Sequence, residues 1–404
     1  MKRAVWILLV ILFSAVGIAV VGEGASAGIE DIRIEWPSVD ARDLQSVIDT
    51  APNGATIEIK QGVYQLSEPL YVRGKRLTFV GAGSGLMAGR RAITHLVGPS
   101  PNPVVDERGN LVLFADAVKG LWNLIGADVE IRDMQLTGFD AGIVVRAAEG
   151  DTPGPTVVTN VLIMDTGRGI LSMSSSDLTV QHSTIINTLW HGISVGPPQP
   201  NIVLGNFLFD AFQIINPGKA GIYVLWGNVT IQNGFVYGAQ AGGIVAFQMH
   251  ALHVLSCNLL GNKEAGILMQ GVNPGLGQLD IVIQDNIIQN TQQLDSKFGD
   301  GIVAMLFPGQ QSLVASLFDN TITSSQRVGV SSFGADLILK GNTILCSPFD
   351  LDGEVFQPPL SGIPYTFQDL GGNNCGCPGI PPGGSTCIPS SSTLSSPPMV
   401  GGLQ

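Results

Sequence analysis

The sequence predicts an all-β solenoid, built one coil per repeat and closed at its N-terminal end by a short helix. Three observations carry this expectation. A Gly followed by Ile or Val, and then by alternating apolar residues, recurs at Gly142, Gly169, Gly192, Gly221, Gly243, Gly266, Gly301 and Gly329, 22 to 35 residues apart. A second alternating pattern lies between these, as in "IVIQDNII" (281–288), "LFDNTI" (317–322) and "LILKGNTI" (337–344). Charged residues make up only 13% of the chain, whereas Gly occurs 52 times in 404 residues, which suits short strands joined by tight turns. Alternation with period 2 marks strands. Short strands in a fixed repeat cannot bury their inner face alone, so neighbouring coils must stack.

At the N-terminus, Met1-Lys2-Arg3 precedes an apolar run over 4–21 and an Ala25/Ala27 pair spaced for signal peptidase. Residues 1–27 therefore read as a signal peptide cleaved after Ala27, with an uncleaved anchor as the alternative, since the run just reaches bilayer length. Residues 28–37 read as a lead-in. In "ARDLQSVIDTAPNGATIEIKQGVYQL" (41–66), Leu44, Val47, Ile48 and Ala51 share one side of a short helix, as a cap over the open end of a stack requires. Coils are expected over 38–345, with a terminal cap or irregular last coil over 346–374. A Cys/Pro/Gly/Ser-rich tail follows over 375–404.

In the coils, Ile143, Ile170, Ile193, Ile222, Ile244, Ile267, Ile302 and Val330 should form one internal column. A turn slot runs Ser183, Phe207, Gly234, Cys257, Asn286, Asn320, Asn342. Asn suits it because it tolerates the left-handed backbone and its amide can bond to the coils above and below. Cys257 reads as a small buried residue of that column. The other four cysteines, Cys346, Cys375, Cys377 and Cys387, read as two disulfides of an exported chain with three pairings open. Zinc binding is the weaker alternative, without a histidine or regular CxxC spacing to support it. His250 and His253 are three apart, but His253 lies between Leu252 and Val254 as an outward strand residue would.

On these residues the chain resembles the right-handed parallel β-helix superfamily that includes pectate lyases, pectin methylesterases, polygalacturonases and phage tailspikes. The resemblance covers about 38–345. It implies a single-stranded right-handed parallel β-helix, but no specific enzyme family, because this architecture hosts many activities. Calcium is implied by that analogy alone; no cofactor is evident in the residues themselves.

The segment "LWHGISVGP" (189–197) tests the analogy with polygalacturonases, whose Asn-Thr-Asp, Asp-Asp, Gly-His-Gly and Arg-Ile-Lys segments lie on successive coils. Aligned on the Gly-Ile pairs, these become Phe139-Asp140-Ala141, Gly167-Arg168, His191, and Tyr223 with Leu225. Only the histidine matches. The paired carboxyl groups that glycoside hydrolysis needs are absent at the aligned positions, with Asp140 one residue early. No calcium-type Asp cluster and no methylesterase segment is found either.

Strand parity places one outward column at Val144, Leu171, Ser194, Tyr223, Val245, Leu268, Val303 and Ser331. A second holds Arg146, Met173, Gly196, Leu225, Phe247, Gln270, Met305 and Phe333. Such an apolar stripe implies either cover by the chain's own segments or a groove for a ligand or partner. The turn residues ahead of the Gly-Ile pairs are polar: Asp140, Arg168, His191 with Trp190, Lys219, Glu264, Asp300 and Arg327. They read as solvated turns, except that Arg168, His191 and Lys219 could form a cationic row. In that reading Trp190, Tyr223, Phe247 and Asp140 surround a bound sugar.

The expected function is an exported β-helix that binds carbohydrate or a cell-surface partner, leaning away from an enzyme. The alternative is a diverged polysaccharide lyase, hydrolase or epimerase with Arg168, His191 and Lys219 as candidate catalytic residues. A net charge of −12 and the lack of basic runs argue against nucleic acid as a partner. The membrane enters only through the N-terminal segment. The expected location is secreted, periplasmic or cell-surface.

Overall fold

Each repeat contributes three short strands, and the three stack into parallel ladders. The computed structural model describes residues 32–37, 43–85, 93–101, 118–147, 154–196, 205–271, 280–294, 299–306, 313–355, 364–377 and 387–391. The expected signal peptide and most of the tail lie outside them. One coil illustrates the rest: Asp280–Gln284, Ile287–Gln289 and Asp300–Met305 each pair in parallel with the same strand of the coils before and after. Among the described residues the third strands form a separate sheet of 11. The chain is a right-handed parallel β-helix.

The apolar column is in register as counted. Ile143 pairs with Ile170, Ile170 with Ile193, and so on through Ile222, Ile244, Ile267, Ile302 and Val330 to Leu351. All are buried. Burying such an aliphatic side chain stabilises the fold by roughly 1.5–3 kcal/mol, so the column is a principal source of cohesion along the helix axis.

The glycine column answers to packing. None of these eight glycines has a positive φ. Instead, a Cβ on Gly192 would lie 2.6 Å from Ile214 Cγ2 and 2.7 Å from the Gly221 carbonyl oxygen. The same kind of contact, an aliphatic methyl and the next glycine's carbonyl, recurs along the column. Glycine lets the third strand press directly against the second.

The corner between the first and second strands is turned by one left-handed residue: His182, Ala211, Asn233, Ser256, Asp285, Asp319, Gly341 and Gly372 on successive coils, with φ of 49° to 77°. The inward residue after it is the conspicuous one. Asn286, Asn320, Asn342 and Asn373 stack there, so the asparagines serve as buried hydrogen-bonders and their predecessors take the strained backbone. Asn286 Nδ2 donates to Asn320 Oδ1 (2.9 Å), Asn320 Nδ2 to Asn342 Oδ1 (3.0 Å), and Asn342 Nδ2 to Asn373 Oδ1 (3.0 Å). Each amide also reaches a carbonyl of the preceding coil, for example Asn320 Nδ2 to Ile283 O at 2.8 Å. Cys257 continues the column, and burial pushes its thiol up to about 11. One position differs from the sequence reading. The slot on its coil is Phe212, after Ala211, and not Phe207; the Phe212 ring fills the space that Gly234 leaves on the next coil.

Both ends extend past the expected limits. Arg33–Trp36, within the expected lead-in, already pairs with Ala55–Ile59. Helix Leu44–Thr50 follows, with Asp43 as N-cap and Leu44, Val47 and Ile48 buried. Gln45 bonds both backbone groups of Tyr71, and Lys75 Nζ donates to the carbonyls of Ile48, Asp49 and Ala51. These bonds hold the helix to the rung beneath it. Beyond residue 345, Phe349–Glu354, Thr366–Asp369 and Asn374–Gly376 are still rungs. The coils continue because Leu351 and Asn373 supply the inward residues the repeat needs. Disulfides Cys346–Cys377 and Cys375–Cys387 close loops of 31 and 12 residues there, which uses all four late cysteines and leaves none for zinc.

Candidate functional site

The outward columns of the third sheet are also in register. Val144, Leu171, Ser194, Tyr223, Val245, Leu268, Val303 and Ser331 follow one another across the strands and end on Asp352. Every one of them is buried. Two apolar clusters separate from the main core sit on this face. One joins Val118, Ala141, Val144, Leu171 and Met173. The other is centred on Tyr223, Leu225, Val245, Phe247, Leu268, Met305 and Phe333, with Trp226 packed against it. The described side chains of this column are therefore buried and do not form a bare apolar stripe.

The proposed row behaves accordingly. Arg168 and His191 each stand directly before their glycine, whereas Lys219 stands two residues before Gly221, in the row of Asp140 and Trp190. Arg168 and His191 are buried; Lys219 is exposed. The Arg168 guanidinium lies 5.1 Å from the centroid of the Trp190 ring, so that ring face is taken by protein. Burial lowers Arg168 to about 10, and the attraction of Asp140 opposes the fall. Asp140 Oδ2 accepts the Lys119 amide N–H at 3.2 Å.

His191 is packed on two sides, edge-on to Trp190 and stacked on Tyr223 with centroids 4.8 Å apart. Its Nδ1 accepts the Ala220 amide N–H at 3.1 Å, which requires a lone pair on that nitrogen and suits the neutral ring. Burial first, then the charges of Arg168 and Lys219, push it down from 6.5 to about 3. A depressed pKa of this kind contributes stability that is complete above pH 6.5 and is lost as the pH falls toward 3. The geometry thus brings Asp140, Arg168, Trp190, His191, Tyr223 and, through Tyr223, Phe247 together; Lys219 is exposed in the adjoining row, near enough for its charge to act on His191. Only Arg168 in this group is a buried cation.

A second polar group on the same face was read from sequence as solvated turns. Asp300 and Arg327 are buried and joined by two hydrogen bonds, Nε to Oδ1 at 2.6 Å and Nη2 to Oδ2. Ser331 Oγ donates to Asp300 Oδ2 at 2.7 Å, and Phe333 lies under the guanidinium. Burial pushes the Asp300 carboxyl up, opposed by Arg327 and Ser331. Asp352, also buried, is the register partner of Ser331. The clue in sequence was spacing: Asp300 lies one residue before its glycine and Arg327 two, so a charge pair could bridge adjacent coils.

Among the described residues no group of three or more His, Cys, Asp or Glu side chains is arranged to hold a metal ion. His253 points outward as expected and bonds Asp280 at 2.8 Å; His250 bonds Asn228 at 3.0 Å. They have separate partners and do not converge.

A family described as right handed beta helix region matches residues 201–344. The A-module of mannuronan C-5 epimerase AlgE4 from Azotobacter vinelandii shares the fold at 16% identity and a TM-score of 0.56, over 86% of this chain and 94% of that one. The catalytic unit of a GH87 α-1,3-glucanase from Streptomyces thermodiastaticus strain HF3-3 does so at 14% identity and a TM-score of 0.52, over 87% and 69%. No curated protein matches the sequence. The chain has the right-handed parallel β-helix fold, and within it residues 201–344 match the family described as right handed beta helix region.

Proposed function

We propose that the protein is an exported β-helix that binds polysaccharide without converting it. The observation that carries this reading is the state of the third sheet: its outward column from Val144 to Ser331 is buried, and His191 is buried with Nδ1 accepting the Ala220 amide N–H. A general acid or base must reach its substrate, and neither Arg168 nor His191 is placed to do so. Two structures of this fold act, by their names, on mannuronan and on α-1,3-glucan, which supports a carbohydrate as the partner. The two disulfides suit an oxidising compartment outside the cytoplasm. Affinity electrophoresis against a polysaccharide panel, with product assays for unsaturated uronates, epimerised residues and new reducing ends run with and without calcium, tests the reading. Retardation without products is expected; any product, or no retardation by any polymer, overturns it.

The enzyme alternative draws support from one observation, the meeting of Asp300, Arg327, Ser331 and Asp352 on three adjacent coils of that sheet. On that reading Asp352→Asn would abolish whatever product the panel revealed.

A further inference from the structure

The outward face of the first ladder differs from the buried outward column of the third sheet. It carries a cavity of about 350 Å³ that crosses four coils, from Leu178–Gln181 through Asn206–Asp210 and Asn228–Gln232 to Ala251–Leu255. Three ladder spacings of about 4.8 Å give it a length of roughly 14 Å, the span of a short oligosaccharide. The third strand is connected to the next first strand only by Trp226–Gly227 ahead of Asn228–Gln232, and only by Gln248–His250 ahead of Ala251–Leu255.

Its lining has two columns. Along one edge Asp177, Asn206 and Asn228 form a hydrogen-bonded row. Asn206 Nδ2 donates to Asp177 Oδ1 at 3.1 Å, and Asn228 Nδ2 donates to Asn206 Oδ1 at 3.2 Å. Each amide nitrogen carries two hydrogens and uses one in the row. The second column is Thr179, Leu208, Thr230 and His253, which follow one another in register. Among the described residues the Thr179 and Thr230 hydroxyls have no protein partner. The side chains alternate between polar groups and apolar surface, which suits a sugar with its hydroxyl rim and C–H faces.

Charge decides the class of sugar. Among the described residues no Lys or Arg lines the cavity. Asp177 stands at one end, and Asp280, bonded to His253, stands beside the other. The whole chain is at −12. A polyuronate would meet repulsion there with no cation to offset it. The geometry points to this cavity as a binding site for an uncharged glycan, held by Asn206, Asn228, Thr179 and Thr230. This rests on the polysaccharide-binding reading and names its site.

The test uses the full chain in gels containing a neutral β-glucan, a neutral galactomannan or a polyuronate. Two variants are compared: Asn206→Ala with Asn228→Ala, and Thr230→Trp, which fills the cavity. Thermal unfolding checks that both stay folded. The expected result is retardation by a neutral polymer, weakened at least about tenfold in both variants, with none by the polyuronate. Retardation by a neutral polymer that is unchanged in folded variants overturns the site but leaves the polysaccharide reading standing. Retardation by the polyuronate alone overturns the charge argument, and no retardation in any gel overturns both.

Discussion

Asp300→Ala is expected to destabilise the fold by about 3–5 kcal/mol, the range for removing one partner of a buried ion pair. The variant leaves the Arg327 guanidinium buried beside Phe333 without the carboxylate that accepts two of its N–H groups, and it strips the Ser331 hydroxyl of its acceptor. Chemical denaturation of the purified variant measures the loss. Replacing the pair together, as Asp300→Leu with Arg327→Met, should recover most of it, because a desolvated pair contributes little net stability over apolar side chains of similar size. A single variant within about 1 kcal/mol of the wild type would mean that water reaches the pair and that this end of the face is open.

Asn320→Ala is the second large effect, about 4 kcal/mol. Asn320 Oδ1 accepts from both Asn286 N (3.1 Å) and Asn286 Nδ2 (2.9 Å), while its own Nδ2 donates to Ile283 O and Asn342 Oδ1. Alanine leaves Asn286 N, one Asn286 Nδ2 hydrogen and Ile283 O on the preceding coil unsatisfied, and takes one of two donors from Asn342 Oδ1 on the next. Each orphaned group costs roughly 1–3 kcal/mol where water cannot replace the bond. Asn373→Ala makes the comparison. It ends the same row, where Asn373 is only partly buried and water can substitute, so its loss should stay below about 1 kcal/mol. Equal losses at Asn320 and Asn373 in denaturant titrations would contradict a buried, cooperative row.

The repeat was legible because it is written twice, once in the period-2 alternation and once in the glycine before each inward Ile. Both features report packing on a neighbouring coil, and packing is what a repetitive sequence encodes. The corner was harder. Phe207 and Phe212 both fit an apolar-rich pattern, and only the left-handed Ala211 shows which begins the second strand. The ends were harder still, since Arg33–Trp36 joins the stack on a single strand and Thr366–Asp369 and Asn374–Gly376 follow outside the regular spacing.

The candidate site was half legible. Counting back from each glycine found Asp140, Arg168, Trp190 and His191, but it merged two rows, so the exposed Lys219 was grouped with the buried Arg168 and His191. A polar residue in a turn is usually solvated, and that prior hid Asp300 and Arg327. Their partner lies 27 residues away in sequence and next door in space. The uncharged columns of the first ladder, Asn206, Asn228, Thr179 and Thr230, carry no motif at all. Only the stacked strands bring them to one surface.

The burial of the third sheet's outward side is tested most directly by histidine ring NMR from pH 8 downward, with His191 assigned by comparison with His191→Gln. A neutral ring with no midpoint above pH 4 is the predicted result, since burial and Arg168 hold the group near 3. A midpoint between pH 6 and 7, near the value of a solvated imidazole, would place His191 in contact with water or substrate and restore it as a candidate acid or base.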